Sequence, residues 1–202
     1  MNEAIETFEI ERKYEVTDGA VWPTPAQFAD LGFRLGATER HELHASYFDT
    51  PTGDLAAQRV AVRRRVGGKD SGWHLKHKGE EGARELLWPQ SDDMPEGLQR
   101  ELEHRIGATA VTAIGPIATL QTVRLTAVLY DESDAALVEL ADDRVDARNE
   151  LTGGKQQWRE WEAELLPPSD AAVLDEIEPL LVAAGATRVR GTSKIQRTMA
   201  GQ

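Results

Sequence analysis

Cysteine is absent from the 202 residues, and aromatic side chains make up only 6% of them. Without cysteine the chain cannot form disulfides, thiolate nucleophiles or cysteine-ligated zinc sites. It also lacks any run of about 18 apolar residues, and its first residues have neither the basic start nor the apolar core of a signal peptide. We therefore expect a cytoplasmic protein that does not engage a membrane.

An excess of basic charge is also missing. The chain has 23 Lys and Arg against 35 Asp and Glu, a formal net charge of -12. General nucleic-acid binding requires basic surface that displaces phosphate counterions, so we expect no nucleic-acid partner. The share of charged residues, 29% against 40% hydrophobic, is typical of a globular protein, and the length suits one domain over residues 1–202.

Alternation of apolar and charged side chains predicts an α+β protein rich in antiparallel strands. The first strand is predicted over residues 6–16, where Phe8, Ile10 and Tyr14 alternate with charged residues. Further strands are predicted near residues 44–50, 59–66, 73–78, 84–88, 117–130, 136–147 and 157–166. Helical spacing of apolar residues predicts helices near residues 24–35, 95–114 and 170–184.

Four of these strands carry paired charges on one parity. The charged sets are Glu9, Glu11 and Lys13; Arg63 and Arg65; Lys76 and Lys78; and Glu160, Glu162 and Glu164. For any single strand, an outer face in water explains the alternation about as well as a functional site does. Repetition in four strands, with bulky residues such as Trp73 and Trp161 on the opposite parity, favours a barrel whose charges point inward.

Inward-facing charges predict a ligand, because a desolvated ion is tolerated only when it is paired or bound. Arg and Lys suit phosphate oxygens, Arg by gripping two oxygens at once and Lys as a point charge. Carboxylates cannot contact phosphate directly, so divalent cations would have to lie between the two. Oxygen ligands without cysteine or clustered histidine favour Mg²⁺ or Mn²⁺ over zinc.

The motif Glu9-x-Glu11-x-Lys13 resembles the signature of the CYTH domain, or triphosphate tunnel metalloenzyme, family. Later landmarks resemble that family in order: Tyr47-Phe48-Asp49-Thr50, Arg63-x-Arg65, Trp73-x-Leu75-Lys76, the Glu-rich residues 158–165, and Ser193-Lys194. The resemblance covers nearly the whole chain. It implies a closed eight-stranded antiparallel β-barrel, a tunnel with a charged interior and flanking helices, in which carboxylates bind metal and basic residues bind a triphosphate group.

Carried over position by position, the resemblance implies three sets of site residues. The metal ligands would come from Glu9, Glu11, Glu160, Glu162, Glu164 and Asp143. The phosphate-binding residues would be Lys13, Arg63, Arg65, Lys76, Arg124 and Lys194. The catalytic residues would be Glu11, Lys13 and Lys76. Which two of the three glutamates in residues 160–164 hold metal stays open, because all three share one face.

One position departs from the family pattern. The family often places an arginine and a glutamate two residues apart on the fifth strand, whereas here Arg84 and Glu85 are adjacent. Adjacent residues of a regular strand face opposite sides, so only one of the two can point inward. We predict that Glu85 does.

Three functions are compatible with the resemblance. A triphosphatase acting on inorganic triphosphate or a related compound ranks first, because nothing in the sequence selects a base or a thiamine ring. A class IV-type adenylate cyclase ranks second. The third is a non-catalytic polyphosphate-binding module of a protein that continues, after residues 193–195, into a helical CHAD domain. The expected partner is a triphosphate or polyphosphate molecule, and the expected assembly is a monomer or homodimer.

Overall fold

A computed structural model describes residues 3–201 and contains one antiparallel sheet flanked by helices. Within these residues the strands are β1 (Ile5–Glu9), β2 (Glu11–Glu15), β3 (Arg34–Leu35), β4 (Glu39–Asp49), β5 (Val60–Val66), β6 (Gly72–Lys78), β7 (Ala83–Pro89), β8 (Gly115–Tyr130), β9 (Ala136–Asn149), β10 (Lys155–Leu165) and β11 (Thr187–Val189). The helices are α1 (Pro25–Ala29), α2 (Asp54–Ala57), α3 (Glu96–Ile106), α4 (Ala108–Val111), α5 (Ala172–Ala183) and α6 (Lys194–Ala200). Among the helices of residues 3–201, none has the length and apolar character needed to span a bilayer.

The prediction of a closed eight-stranded barrel is wrong. Over the described chain the sheet has eleven strands, and its hydrogen-bonded path runs β1-β7-β6-β5-β4-β8-β9-β10-β2-β11, with β3 paired to β8 beside it. The path is open, since it begins at β1 and ends at β11. The α+β class and the flanking helices are confirmed.

The openness arises at Ile10, where the strand predicted over residues 6–16 is interrupted. β1 ends at Glu9 and pairs with β7, whereas β2 begins at Glu11 and pairs with β10. Because Ile10 alone separates these two strands, the sheet has to curl until β7 and β10 lie on either side of this segment. The curl gives the sheet an inner face, which carries the parity of Glu11, Arg63, Lys76 and Arg124.

Apolar side chains on the other parity pack beneath the helices. One cluster joins Tyr14 and Trp161 of the sheet to Leu174 and Ile177 of α5, and each of these four side chains is at most 1% exposed. A second cluster lies between β5–β7 and α3. Burial of this apolar area holds the helices against the outside of the sheet and leaves the inner face for charged residues.

A third apolar cluster lies on the inner face itself. Leu120 and Val145 share the parity of Arg124 and Asp143, and partly buried Ile195 and Met199 of α6 pack against the cluster that contains them. Helix α6 therefore covers one end of the inner face with apolar contacts. The charged residues occupy the remainder.

Two local predictions had different outcomes. The helix predicted over residues 95–114 is divided into α3 and α4 by Gly107, whose φ of +84° is incompatible with helix continuation. The prediction for Glu85 is confirmed, because this residue is buried on the inner face. Arg84 is instead exposed and pairs with Glu6, 2.5 Å from Nε to the carboxylate.

Candidate functional site

A row of carboxylates crosses three neighbouring strands of the inner face. Strand register places Glu11 of β2 opposite Glu164 of β10, and Glu164 opposite Glu139 of β9. Like charges directly opposite one another repel, so such a row is destabilising unless a cation intervenes. Burial, and after it the Glu11 carboxylate, raises the pKa of Glu164 to about 7. Glu11 and Glu139 pair with lysines, whereas Glu164 forms no ion pair within residues 3–201 and resists ionisation.

Two lysines tie the first carboxylates together. The Lys76 Nζ lies 2.5 Å from Glu9 and 3.1 Å from Glu11. Lys13 donates to Glu11 at 2.9 Å and also to Glu162. Burial opposes ionisation of Glu11, but Lys13 and Lys76 outweigh it and lower the pKa of that carboxyl to about 2. For Glu9 the balance is reversed, because burial and the neighbouring Glu85 raise its pKa to about 8.

A second carboxylate group lies deeper, where Asp143, Glu160 and Glu162 each place an oxygen within 4.8 Å of the others. The Lys194 Nζ contacts all three, at 2.8, 2.6 and 2.8 Å respectively. Arg124 grips Asp143 through two hydrogen bonds of 2.7 and 2.6 Å and reaches Glu162 at 2.6 Å. This buried acidic cluster could bind a metal ion, but Lys194 fills its centre.

Two arginines of β5 form a cationic region beside these carboxylates. Arg63 lies 3.5 Å from the Tyr47 hydroxyl and 3.5 Å from Glu85, and Arg65 pairs with Asp70. The Nε atoms of both arginines are buried and have no hydrogen-bond partner. Burial, and then Arg63 and Arg124, lowers the pKa of Arg65 to about 9, which leaves the guanidinium protonated at neutral pH.

His74 and Asp70 belong to the same region, but neither was predicted as a site residue from the sequence. His74 is 1% exposed, with Nδ1 2.8 Å from Glu85 and Nε2 2.9 Å from the Asp70 carbonyl oxygen. Burial lowers the pKa of His74 to about 4. His74 shares the parity of Lys76, and this signal was available. No strand pattern could place Asp70, because it lies in a turn.

The structure brings most of the residues predicted for the site into one network of ion pairs. Its members are Glu9, Lys76, Glu11, Lys13, Glu162, Arg124, Asp143, Lys194 and Glu160. Glu164 adjoins this network through its register with Glu11. Arg63 and Arg65 lie on β5, where their own carboxylate partners, Glu85 and Asp70, are not among the residues predicted for the site.

The chain matches one family over almost its whole length. The sequence model of the CYTH domain matches residues 7–199. Two uncharacterized proteins of Mycobacterium tuberculosis, from strains CDC 1551 and H37Rv, are each 33% identical to the chain over 208 residues. These alignments cover 95% of this chain, which spans 40% of the length of either relative.

Solved structures share the fold at lower identity. A protein of Bacillus halodurans that is provisionally named an adenylate cyclase superimposes with a TM-score of 0.61 at 19% identity, covering 96% of this chain and 99% of its own. The protein HpAC1 of Hippeastrum, which is described as having a dominant triphosphatase activity, superimposes with a TM-score of 0.55 at 20% identity. The superposition covers 95% of both chains. At these identities the likeness concerns the fold alone.

Proposed function

The chain belongs to the CYTH domain family, and from this premise we propose that it is a metal-dependent triphosphatase that hydrolyses inorganic triphosphate or a related triphosphate compound. The family is metal-dependent and includes both triphosphatases and nucleotide cyclases. Hydrolysis is preferred over cyclisation because the inner face supplies charge partners for a phosphate chain and nothing in the sequence selects a nucleotide base. The dominant triphosphatase activity described for HpAC1 supports the same choice.

The observation that carries this proposal is the unsatisfied cationic region on β5. Within residues 3–201, Arg63, Arg64 and Arg65 each keep a buried Nε without a hydrogen-bond partner, although buried donors in proteins are nearly always paired. Of these three, Arg63 and Arg65 lie on the inner face. An anion with several oxygens satisfies such donors, and guanidinium groups bind phosphate through two hydrogen bonds at once. A phosphate chain fits this requirement better than a single carboxylate, because the two arginines present separate guanidinium forks.

The carboxylate row supplies the metal ligands in this proposal. The buried acidic cluster around Asp143 is already neutralised by Lys194 and Arg124, so a further cation there would have to displace an ammonium. The carboxylate row and the adjoining Glu9 differ from that cluster because Glu164 forms no ion pair within residues 3–201. The pKa values of Glu9 and Glu164 are also raised. Oxygen donors of this kind fit Mg²⁺ or Mn²⁺.

In the proposed reaction the chain binds and orients the substrate and uses no side-chain nucleophile. Arg63 and Arg65 bind phosphoryl oxygens and stabilise the charge that develops on them during transfer. Lys13 and Lys76 keep Glu11 ionised and hold its carboxylate in place. When bound, a divalent cation neutralises phosphate charge and polarises a phosphoryl oxygen.

A phosphate-release panel tests the proposal. Inorganic triphosphate, ATP, thiamine triphosphate and pyrophosphate would each be assayed with Mg²⁺ and with Mn²⁺. We expect release from triphosphate, with loss of about a hundredfold or more in Glu11→Gln because a ligand carboxylate is neutralised. The matched control is Glu6→Gln, since Glu6 is exposed and pairs with Arg84. Unchanged hydrolysis in a folded Glu11→Gln protein would contradict the assignment.

The same panel separates the other functions. Cyclic AMP formed from ATP would identify a cyclase, and tight triphosphate binding without phosphate release would identify a binding module. Because the chain spans 40% of the length of its curated relatives, the panel reports on this domain and not on a longer protein.

A further inference from the structure

The turn of residues 67–71, which joins β5 to β6, extends over the inner face. Lys69 Nζ lies 3.4 Å from Glu39 of β4 and 3.3 Å from Glu139 of β9. In the sheet, β4 and β8 separate β5 from β9, so the Lys69 side chain reaches across two strands. The turn therefore lies beside the phosphate-binding region proposed above, at the end of β5 that carries Arg65.

The backbone of the turn has a fixed position. Gly67 has a φ of +90°, and a Cβ atom at this residue would lie 2.0 Å from the Glu42 carbonyl oxygen of β4. The carbonyl oxygen of Asp70 accepts a hydrogen bond from His74, and Ser71 Oγ donates to the Gly67 carbonyl oxygen at 3.2 Å. A side chain of the turn can change its position without displacing this backbone.

The side chain of Asp70 supplies the counter-charge of Arg65. Its carboxylate is paired with the Arg65 guanidinium, although the Asp70 side chain is 47% exposed and that of Arg65 is 7% exposed. A buried cation thus takes its counter-charge from a carboxylate that remains half in water. Burial and the neighbouring cations Arg63 and Arg124 make an anion at this place favourable.

We propose that Asp70 is an internal competitor for the phosphate site, a carboxylate that occupies Arg65 until a phosphate chain displaces it. The inference rests on the proposed function, because it assigns Arg65 to phosphate binding. A half-exposed carboxylate loses little when it turns into water, whereas a phosphate oxygen brings more charge to the buried guanidinium. Asp70 therefore sets the affinity of the site and excludes weakly charged anions from it.

The test compares Asp70→Asn with Asp92→Asn. Asp92 is a matched control, because it pairs at 2.7 Å with Arg64, the neighbouring residue of Arg65 that faces outward. Binding of inorganic triphosphate would be measured by calorimetry in a chelator, so that no turnover occurs. We expect Asp70→Asn to bind roughly two- to fivefold more tightly than the unchanged protein, from the usual strength of a partly exposed ion pair. Asp92→Asn should bind as the unchanged protein does.

Two results would overturn the inference. Unchanged affinity in Asp70→Asn would mean that the carboxylate does not compete, and weaker affinity would mean that it positions Arg65 for the ligand. A second readout is independent of the proposed function: inorganic phosphate should raise the Tm of Asp70→Asn more than that of either other protein. If no protein binds triphosphate in the chelator and none releases phosphate from it with Mg²⁺ or Mn²⁺, the proposed function fails. An equal phosphate response in all three proteins then rejects the inference as well.

Discussion

Arg63 and Arg65 differ from the other cations of the inner face in what surrounds them. Lys13, Lys76 and Lys194 each contact at least two carboxylates, whereas the two arginines contact one apiece. Lysines surrounded in this way hold the carboxylates in place and have little capacity left for a ligand. The arginines are the residues with unused donors, and the first prediction concerns them.

Replacing Arg63 with alanine should lower kcat/KM for triphosphate by about ten- to hundredfold, the usual effect of losing hydrogen bonds to a charged group. Steady-state phosphate release measures the loss. Arg64→Ala is the control, because Arg64 lies next in the chain and pairs with Asp92 on the outer face. Equal losses in the two variants would show that the effect arises from general damage to β5.

Glu164 allows a prediction about stability and pH. Its pKa in the folded protein, about 7, lies above the ordinary value of 4.5, so ionisation destabilises the fold as pH rises between these values. At pH 8 and in the presence of a chelator, the free energy of unfolding of Glu164→Gln should therefore exceed that of the unchanged protein by about 1–3 kcal/mol. The gain should decline as pH falls towards 4.5 and vanish well below it, where the carboxyl is protonated in both states.

Urea unfolding at pH 8 and at the lowest pH that keeps the fold measures this difference. Glu6→Gln, an exposed carboxylate paired with Arg84, is the control and should leave stability nearly unchanged. A destabilised Glu164→Gln protein at pH 8 would mean that the carboxylate row is compensated by contacts other than a bound cation.

Alternation predicted the residues of the inner face well, because the side-chain period of a strand is independent of its partners. Glu9, Glu11 and Lys76 meet there as alternation predicts, and Arg124, which the family resemblance implied, joins them through Glu162. Alternation could not predict Asp70, whose position depends on the geometry of a turn. It also said nothing of Lys194 at the centre of a carboxylate cluster, because α6 lies beyond the last long strand.

Among the helices, α6 contributes most directly to the site. It begins with a capping box in which Ser193 accepts from the Gln196 backbone N–H and the Gln196 side chain returns to Ser193. The residue after this cap is Lys194, which contacts three carboxylates. Because α6 is short, its first turn depends strongly on the cap.

Ser193→Ala should displace Lys194 and lower kcat/KM for triphosphate severalfold, with a loss of about 1 kcal/mol from the cap itself. Thr24→Ala is a matched control, because Thr24 forms the same capping box with Gln27 on α1. Both substitutions remove a helix cap, but only the helix capped by Ser193 carries a lysine of the site. If the two variants lost activity equally, the placement of Lys194 by α6 would be refuted.

Helix breaks were harder to predict than helix positions. The apolar spacing of residues 95–114 continues past Gly107, so periodicity alone could not reveal that the chain turns there. The same holds at Ile10, where alternation is uninterrupted although the hydrogen-bond partners change from β7 to β10. Partner choice depends on tertiary packing, which a local pattern does not contain.

At the scale of the whole molecule, the inner face places cations among carboxylates in a chain whose formal net charge is -12. A ligand that binds only the folded state adds its binding free energy to stability. Triphosphate at a hundredfold its Kd should therefore add about 2.7 kcal/mol, which raises the Tm of a domain of this size by about 5–10 °C.

Thermal unfolding with triphosphate and divalent metal measures this shift, and sulfate at equal ionic strength is the control. Arg63→Ala should lose most of the shift, because its guanidinium is assigned to the phosphate chain. A shift that persists unchanged in this variant would place the ligand elsewhere on the protein.

The overall architecture was only partly predictable from the sequence. Alternation predicted most of the long strands along the chain, and the assignment to an α+β class was correct. The predicted closure was wrong, because whether a sheet closes depends on the pairing of its outermost strands, which a local pattern does not contain. β11, a strand of three residues beside β2, was too short to leave a pattern.

The division at Ile10 has a consequence for the order of events during synthesis. The partner of β2, β10 (Lys155–Leu165), is synthesised about 150 residues after it. The partner of β1, β7 (Ala83–Pro89), follows after a shorter interval. Since distant pairings form slowly, Glu9 and Glu11 can meet Lys76 of β6 before Lys13 meets Glu162 of β10.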